Sequence, residues 1–463
     1  MRSKTLIILN HIDDMVTIIQ RVLLITVALF WASIPVSAQQ QMSLQDAFEM
    51  ALQNNHSIEI ERIERDQAAN NFFRGNAGLL PTLDIVGSAE FSLDDTNLEI
   101  ADFSESPPTV DRISVDQSES RTYNAALQLN YTLFDGFRGR YIYRQLESQD
   151  RAAQISEQIA IENTLLDVAG AYLELLRRAE SVQIREENLA LSEDRLERIK
   201  EDRRLGQASE LQLLNAEVNY NADVIELSTA KTEREAAARD LLFLIGSDEM
   251  DEEIEPSDRI EVNDNLHPDE ILSSALQQNA ALMLAEEQTS QAELGRSITA
   301  ADRYPRISLS SSYGYFRQEQ DASNLPLLET RGITAGVTLR YNLFSGRQRS
   351  RAVQNADLDI RSSREQMRSV RNEVSKEVSN TYSRYENALQ QLQLSELNVE
   401  TADRNFENSR EAFRQGQITS IELREAQINL LNENLRLNDL RYRAKQTELV
   451  LMVLSGTFLN GEM

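Results

Sequence analysis

An internal duplication limits the fold of this 463-residue chain more than any other feature of its sequence. Short motifs return at one of two fixed spacings. Those 224 residues apart are Ala51-Leu-Gln-Asn-Asn55 with Ala275-Leu-Gln-Gln-Asn279 and Leu80-Pro81 with Tyr304-Pro305. Those 210 residues apart are Tyr131-Thr-Leu-Phe-Asp-Gly136 with Tyr341-Asn-Leu-Phe-Ser-Gly346, Gly206-Gln-Ala-Ser209 with Gly416-Gln-Ile-Thr419, and Leu244-Ile-Gly246 with Leu454-Ser-Gly456. The chain therefore predicts two copies of one structural unit, and the first copy carries 224 minus 210, or 14, extra residues.

Long proline-free stretches predict long helices. Residues 109 to 255 and 327 to 463 contain no proline and are rich in Glu, Gln, Arg, Ala and Leu, which favour helix. In the second stretch, large and small residues alternate along a heptad seam, a pattern typical of coiled-coil packing. The predicted long helices are 139–205 and 347–415, each about 100 Å long at about 1.5 Å per residue. The predicted return helices are 208–245 and 419–455.

Each copy also contains two segments that alternate between apolar and polar residues, as half-buried strands do. They are 82–93, 122–134, 306–317 and 332–344. About ten residues match the length of a tilted membrane strand, although a soluble sheet would show the same alternation. Because the smallest membrane barrels have about eight strands, four strands cannot close a barrel. A membrane protein would therefore need several chains to share one barrel.

The chain ends and the connections complete the domain map. Residues 1–38 are typical of a signal peptide cut after Ala38, with a plain membrane anchor as the alternative. No later segment resembles a transmembrane helix. The first repeat is then 39–246, the second 268–456, and 457–463 form a short tail. An acidic linker, 247–267, joins the repeats, and acidic residues 94–119 are expected to form an external loop.

Composition argues against an enzyme and against nucleic-acid binding. The chain has no cysteine, only three histidines and a formal net charge of -28. Disulfides and thiolate chemistry are excluded, and a phosphate backbone would require clustered Lys and Arg. No nucleophile paired with a base and no phosphate-binding loop is recognisable. We expect no catalytic residues, no metal site and no cofactor.

Taken together, these elements resemble the TolC outer-membrane factor family over essentially the whole mature chain. The most specific motifs are Tyr-x-Leu-Phe-x-Gly at 131–136 and 341–346. The resemblance implies an α+β membrane protein of Gram-negative bacteria, a homotrimer in which four strands per chain form a 12-stranded β-barrel among outer-membrane lipid. A long α-helical barrel would continue through the periplasm.

The resemblance also implies a function. Such a protein is a passive exit duct for a tripartite efflux or type I secretion system. Its partners would be a periplasmic adaptor (membrane fusion protein) and an inner-membrane RND or ABC transporter. A secreted, soluble coiled-coil scaffold or adhesion protein is the alternative, because it would need the same helices without membrane strands.

The turns after the long helices are the candidate functional sites. Gly206 and Gly416 are placed to end the long helices in a left-handed conformation. The spacing of Ser209 with Gln212, and of Thr419 with Glu422, predicts capping boxes that begin the return helices. In the family these turns form the periplasmic tip that opens and closes.

The resemblance assigns an acidic pore constriction to Glu422 and Glu425. Helix capping is the alternative role for Glu422, and favourable placement in the helix dipole is the alternative for Glu425. Gln212, Ile418 and Phe413 stand where the better-known members carry an Asp, an Arg and a Tyr of a closing network. We therefore expect closure to depend on packing of Leu205, Phe413 and Ile418.

Overall fold

The computed structural model describes residues 40–459 except 103, 105, 106, 108 and 322–325, so the predicted signal peptide and the last four residues of the predicted tail lie outside the described residues. The elements of the first repeat are β1 (Gln40–Met42), α1 (Leu44–Asn54), α2 (His56–Asn71), β2 (Thr82–Asp102), β3 (Thr109–Phe134), α3 (Arg138–Arg204) and α4 (Glu210–Leu244). They are followed by β4 (Ile254–Pro256), α5 (Pro268–Gln278), α6 (Ala280–Ala301), β5 (Arg306–Gln320), β6 (Leu327–Arg340), α7 (Gln348–Arg414) and α8 (Ser420–Ser455).

The chain divides into two compact units, and the first comprises described residues 40–50 and 168–260. In this unit β1 pairs in parallel with β4, so the predicted acidic linker contains a strand. The later part of α3 packs against α4 through an apolar cluster formed by Leu196, Ile199, Leu213 and Ala216. The long helix and its return helix thus share a coiled-coil contact.

The second unit comprises residues 51–167 and the described residues from 261 onward. Its main core cluster joins α5, α7 and α8 and consists of Ile271, Ala275, Val374, Val378, Tyr385 and Leu451. Every position of the seam predicted in α7 is buried or half-buried, namely 378, 381, 385, 388, 392, 395, 399, 402, 406, 409 and 413. The heptad pattern therefore identifies the packed face of this helix.

The helix before the strands is interrupted in both repeats. In the first repeat α1 ends at Asn54 and α2 begins after Asn55, whose side chain accepts hydrogen bonds from the N–H groups of residues 57 and 58. Asn279 separates α5 from α6 in the same way and accepts from the N–H of Leu282. The asparagine of the duplicated motif is an N-cap, which explains the break.

The four long strands form one antiparallel sheet in the order β2-β3-β5-β6. Its first hairpin is longer than predicted, because the strands continue through most of residues 94–119 instead of leaving them as a loop. Beyond a bulge near Asp94, the two strands pair from Thr96 with Val115 to Asp102 with Thr109. Acidic residues are frequent in this segment, so its composition favours a loop and hides the strands.

The last strand also differs from its predicted span of 332–344. β6 begins at Leu327 and ends at Arg340, whereas β3 continues through Tyr131-Thr-Leu-Phe134. β3 is paired on both sides and β6 on one side only, which leaves the end of β6 with fewer ladder bonds.

None of the described helices combines the length and hydrophobicity that a bilayer crossing requires.

Candidate functional site: a two-faced sheet and two helix turns

One face of the four-stranded sheet is apolar. Cross-strand rows place Ile85, Leu127, Tyr313 and Ile333 side by side, and Leu83, Leu129, Ser311 and Ala335 in the next row. Ile85 is 86% exposed and Ile333 is 76% exposed, so this face has no protein cover in the single chain. A large exposed apolar face of this kind marks a surface that contacts another protein or lipid.

The opposite face is polar. The row that lies between the two apolar rows contains Asp84, Gln128, Ser312 and Thr334. Small residues follow in the next row, where Gly314 and Gly332 are paired. An apolar face backed by a polar face is the pattern of a strand that separates lipid from water.

Both edges of the sheet are open. β2 and β6 each pair with one neighbour only. Unpaired strand edges present backbone N–H and C=O groups that other strands can bind. A single chain therefore leaves this sheet incomplete.

Left-handed residues connect the sheet to the long helices in both repeats. Gly136 and Phe137 have φ angles of 71° and 68°, and Gly346 and Arg347, each 210 residues later, have 58° and 65°. Such angles are unfavourable for Phe and Arg. The repeated glycine of the motif was visible in the sequence, but the left-handed residue after it carried no sequence signal.

The first helix turn, in the first unit, joins α3 to α4. Gly206 has φ 78°, its N–H donates to Arg203, and the N–H of Gln207 donates to Asp202 at 2.7 Å, which is a Schellman motif. Ser209 then begins α4 with a capping box, in which its N–H donates to Oε1 of Gln212 at 2.8 Å. Leu205 is 60% exposed.

The second helix turn, in the second unit, has the same construction. Gly416 has φ 70°, and the N–H of Gln417 donates to Ala412 at 2.9 Å. The N–H and the hydroxyl of Thr419 donate to one carboxylate oxygen of Glu422, at 2.7 and 2.8 Å. These bonds favour the ionised carboxylate and lower the pKa of Glu422 below its ordinary value, the bond from the Thr419 backbone contributing most.

The remaining predicted residues of the turns differ in exposure. Glu425 lies one helical turn after Glu422, and both side chains are exposed. Phe413 and Ile418 are half-buried in the second unit. Packing of Leu205 with these two residues stays a prediction, as do the constriction and gating roles.

The sheet and the long capped helices define a class, that of outer-membrane channel proteins. The fold is that of the Campylobacter jejuni CmeC outer membrane channel, with a TM-score of 0.72 and 18% identity over 90% of this chain and 86% of that one. The chain belongs to the outer membrane efflux protein family, whose model matches residues 47–247 and 271–457.

Two curated relatives agree with this assignment. The chain is 22% identical to the proteases secretion protein PrtF of Dickeya chrysanthemi, over 96% of this chain and 94% of PrtF. It is 20% identical to the outer membrane efflux protein BepC of Brucella suis biovar 1, over 67% of each chain.

The family membership confirms the predicted family, fold class and location. The protein is an outer-membrane exit duct of the kind used in efflux or secretion, with its helical part in the periplasm. The alternative of a soluble scaffold or adhesion protein is therefore set aside.

Proposed function

We propose that three copies of this chain close one 12-stranded barrel and act as a passive duct without chemistry of their own. The single observation that carries the proposal is the open-edged sheet with one apolar and one polar face. Four strands per chain alternate in direction, so β6 of one copy meets β2 of the next in antiparallel sense. Closure would pair the backbone N–H and C=O groups of both edge strands, and the apolar face would contact lipid.

Three copies are the number that the TolC-like resemblance implies. Two copies would give eight strands, a barrel whose interior is filled by side chains. Twelve strands leave room for an aqueous path, which a duct requires. The polar face of the sheet would line that path.

The two turns would form the entrance of the duct. Opening and closing at this point needs helix ends that are well defined, and the Schellman motifs and capping boxes provide them. Glu422 would add its charge to the constriction, but Thr419 already occupies one of its carboxylate oxygens, so Glu425 would bind counter-ions more directly.

The duct would work with a periplasmic adaptor and an inner-membrane transporter. PrtF, matched over nearly its full length, is described as a protein of protease secretion, which favours a type I secretion system with an ABC transporter. BepC, matched over two thirds of its length, favours efflux as the second candidate, with an RND or ABC pump.

Cross-linking of the purified protein in mild detergent, followed by single-channel recording, tests the architecture. We expect a cross-linking ladder that ends at three copies and a stable open conductance. A stable monomer with no conductance would contradict the proposal. Export of a protease substrate, compared with drug susceptibility in a deletion strain carrying the gene, would then separate secretion from efflux.

A further inference from the structure

Two arginines face each other across the last pair of strands. Arg306, the first residue of β5, lies opposite Arg340, the last residue of β6. Like charges directly opposite each other destabilise an antiparallel pair. The equivalent residues of the first repeat, 224 and 210 positions earlier, are Thr82 and Asn130, which are paired in the same way. The second repeat thus carries two guanidinium groups where the first carries a neutral polar pair.

The two arginines line a pair of adjoining cavities within the second unit. A cavity of about 380 Å³ lies along the strands, and hydroxyl and amide side chains such as Ser308 and Asn130 line it. A cavity of about 610 Å³ lies where the strands meet the helices. Arg306 and Arg340 line both cavities, so they stand at the boundary between them.

The larger cavity has an excess of positive charge. Four arginines and two aspartates line it. Asp302 accepts from Arg138 at 3.1 Å, and Asp135 accepts from the N–H of Gly139 at 2.9 Å. Asp302 is therefore paired with the fourth arginine, and Asp135 is held by the backbone at the start of α3.

The other three arginines of this cavity have no carboxylate partner among the residues that the structure describes. Arg306 reaches Oγ1 of Thr132 at 3.4 Å, and Arg349 donates to the carbonyl oxygen of Asn342 at 2.9 Å. Both partners are neutral acceptors. Among the described residues that line this cavity, Arg306, Arg340 and Arg349 thus face only the carboxylate of Asp135, which leaves a net excess of two positive charges.

We propose that Arg306, Arg340 and Arg349 form an oxyanion site that binds phosphate, sulfate or carboxylate groups of acidic solutes in the lumen. The inference rests on the proposed function, because barrel closure is what turns the polar face into a lumen wall. Arg306 and Arg340 lie on that face, as do Ser308 and Thr338. Guanidinium groups bind oxyanions through paired N–H donors, and a bound anion would relieve the repulsion across the strands.

Pyrophosphate block of single channels tests the site. The purified trimer is placed in a planar bilayer of phosphatidylcholine, and inorganic pyrophosphate is added from either side. We expect a saturable fall in conductance. The variant Arg306→Thr with Arg340→Asn reproduces the pair that the first repeat already accommodates, so it should assemble. Because it removes two charged donors, it should raise the half-blocking concentration at least about tenfold.

A matched double variant separates the site from general charge. Arg144→Gln with Arg303→Gln removes two exposed arginines that line neither cavity, and it should leave the half-blocking concentration unchanged. Equal block in the wild type and in the variant Arg306→Thr with Arg340→Asn would overturn the site while leaving the duct intact. Absence of any channel would overturn the proposed function and the site together.

The source of the anion is tested by lipid composition. Block that persists unchanged when phosphatidylglycerol is added to the bilayer supports a site for solutes in the lumen. Loss of block on that addition would show that a lipid headgroup occupies the arginines and would contradict the inference.

Discussion

The hydroxyl of Tyr172 donates a hydrogen bond to the carbonyl oxygen of Met42 at 2.9 Å, and the duplication repeats the bond. Its counterpart, Tyr382, donates to the carbonyl oxygen of Leu266 at 3.2 Å. The spacings are 210 residues for the tyrosines and 224 for the acceptors, as in the duplicated motifs. In each repeat, therefore, the long helix holds the chain just before the first helix of the same repeat.

We expect Tyr172→Phe to destabilise the first unit. Tyr172 is 1% exposed and also lies 2.9 Å from Oδ2 of Asp258, and burial raises the pKa of its hydroxyl. Removing the hydroxyl loses a buried hydrogen bond at a net cost of about 0.5–1.5 kcal/mol, because the carbonyl oxygen of Met42 still accepts from the N–H of Ser257. Tyr382→Phe is the control and should lower the thermal midpoint less, because Tyr382 is only half-buried. Circular dichroism melts in detergent measure both, and equal effects would contradict the ranking.

The second prediction concerns the carboxylates of the second turn. Glu422→Gln with Glu425→Gln should weaken cation selectivity and block by multivalent cations, because ring charges attract counter-ions. If Glu422 acts mainly as a cap, Glu425→Gln alone should give most of the effect, and Glu422→Gln should leave the helix start intact because glutamine can still serve the capping box. Single-channel reversal potentials measure this, with the exposed Glu365→Gln as control. Unchanged selectivity in the double variant would show that neither residue lines the constriction.

Replacing the buried Glu162 with glutamine should increase stability by an amount that depends on pH. Glu162 is 5% exposed, and burial raises the pKa of its carboxyl even though Gln158 donates to it at 2.7 Å. A raised folded-state pKa means that ionisation opposes folding above the ordinary Glu pKa. Glu162→Gln should therefore raise the melting midpoint near neutral pH, and the gain should shrink as the pH falls through the folded-state pKa.

The exposed Glu193→Gln, on the same helix, is the control for this variant. It should show no comparable pH-dependent gain. A gain from Glu162→Gln that stayed constant between neutral and acidic pH would exclude the carboxyl as its cause.

Alanine substitutions at the two left-handed glycines before the long helices, Gly136 and Gly346, should lower stability by unequal amounts. A Cβ added at Gly346 would meet no atom within 4 Å. Gly346→Ala should therefore cost only the conformational penalty of a left-handed alanine, about 1 kcal/mol. At Gly136 a Cβ would lie 2.6 Å from the carbonyl oxygen of Ala301 and 2.8 Å from Cβ of Tyr304. Gly136→Ala should therefore lower the melting midpoint more. Equal losses would show that the contact at Gly136 relaxes freely.

Shortening the first hairpin should leave assembly intact. Deleting Thr96 to Ser118 preserves the pair between Leu93 and Glu119 and leaves Asp94 and Asp95 as a two-residue turn. β5 pairs with β3 only from Ser120 onward, so the four-stranded part keeps its register. Heat-modifiable trimer bands in detergent gels measure assembly. Loss of the trimer in this deletion would show that the ribbon contributes to the fold.

The sequence by itself determined the features that depend on residues close together in the chain. The left-handed glycines and the capping boxes of the turns are set within a few residues of Gly206 and Gly416. Heptad spacing likewise identified the packed face of α7, because side chains three and four apart share one side of a helix. Strand alternation located the sheet, although the many acidic residues of the first hairpin hid its extent.

Only the tertiary structure decided which distant residues meet. The pairing of Arg306 with Arg340 follows from strand register, and a shift of one residue would place either side chain on the other face. The bond from Tyr172 to Met42 spans 130 residues and depends on the packing of the long helix. Such contacts leave no periodic trace in either segment, because their energy arises only when separate elements pack together.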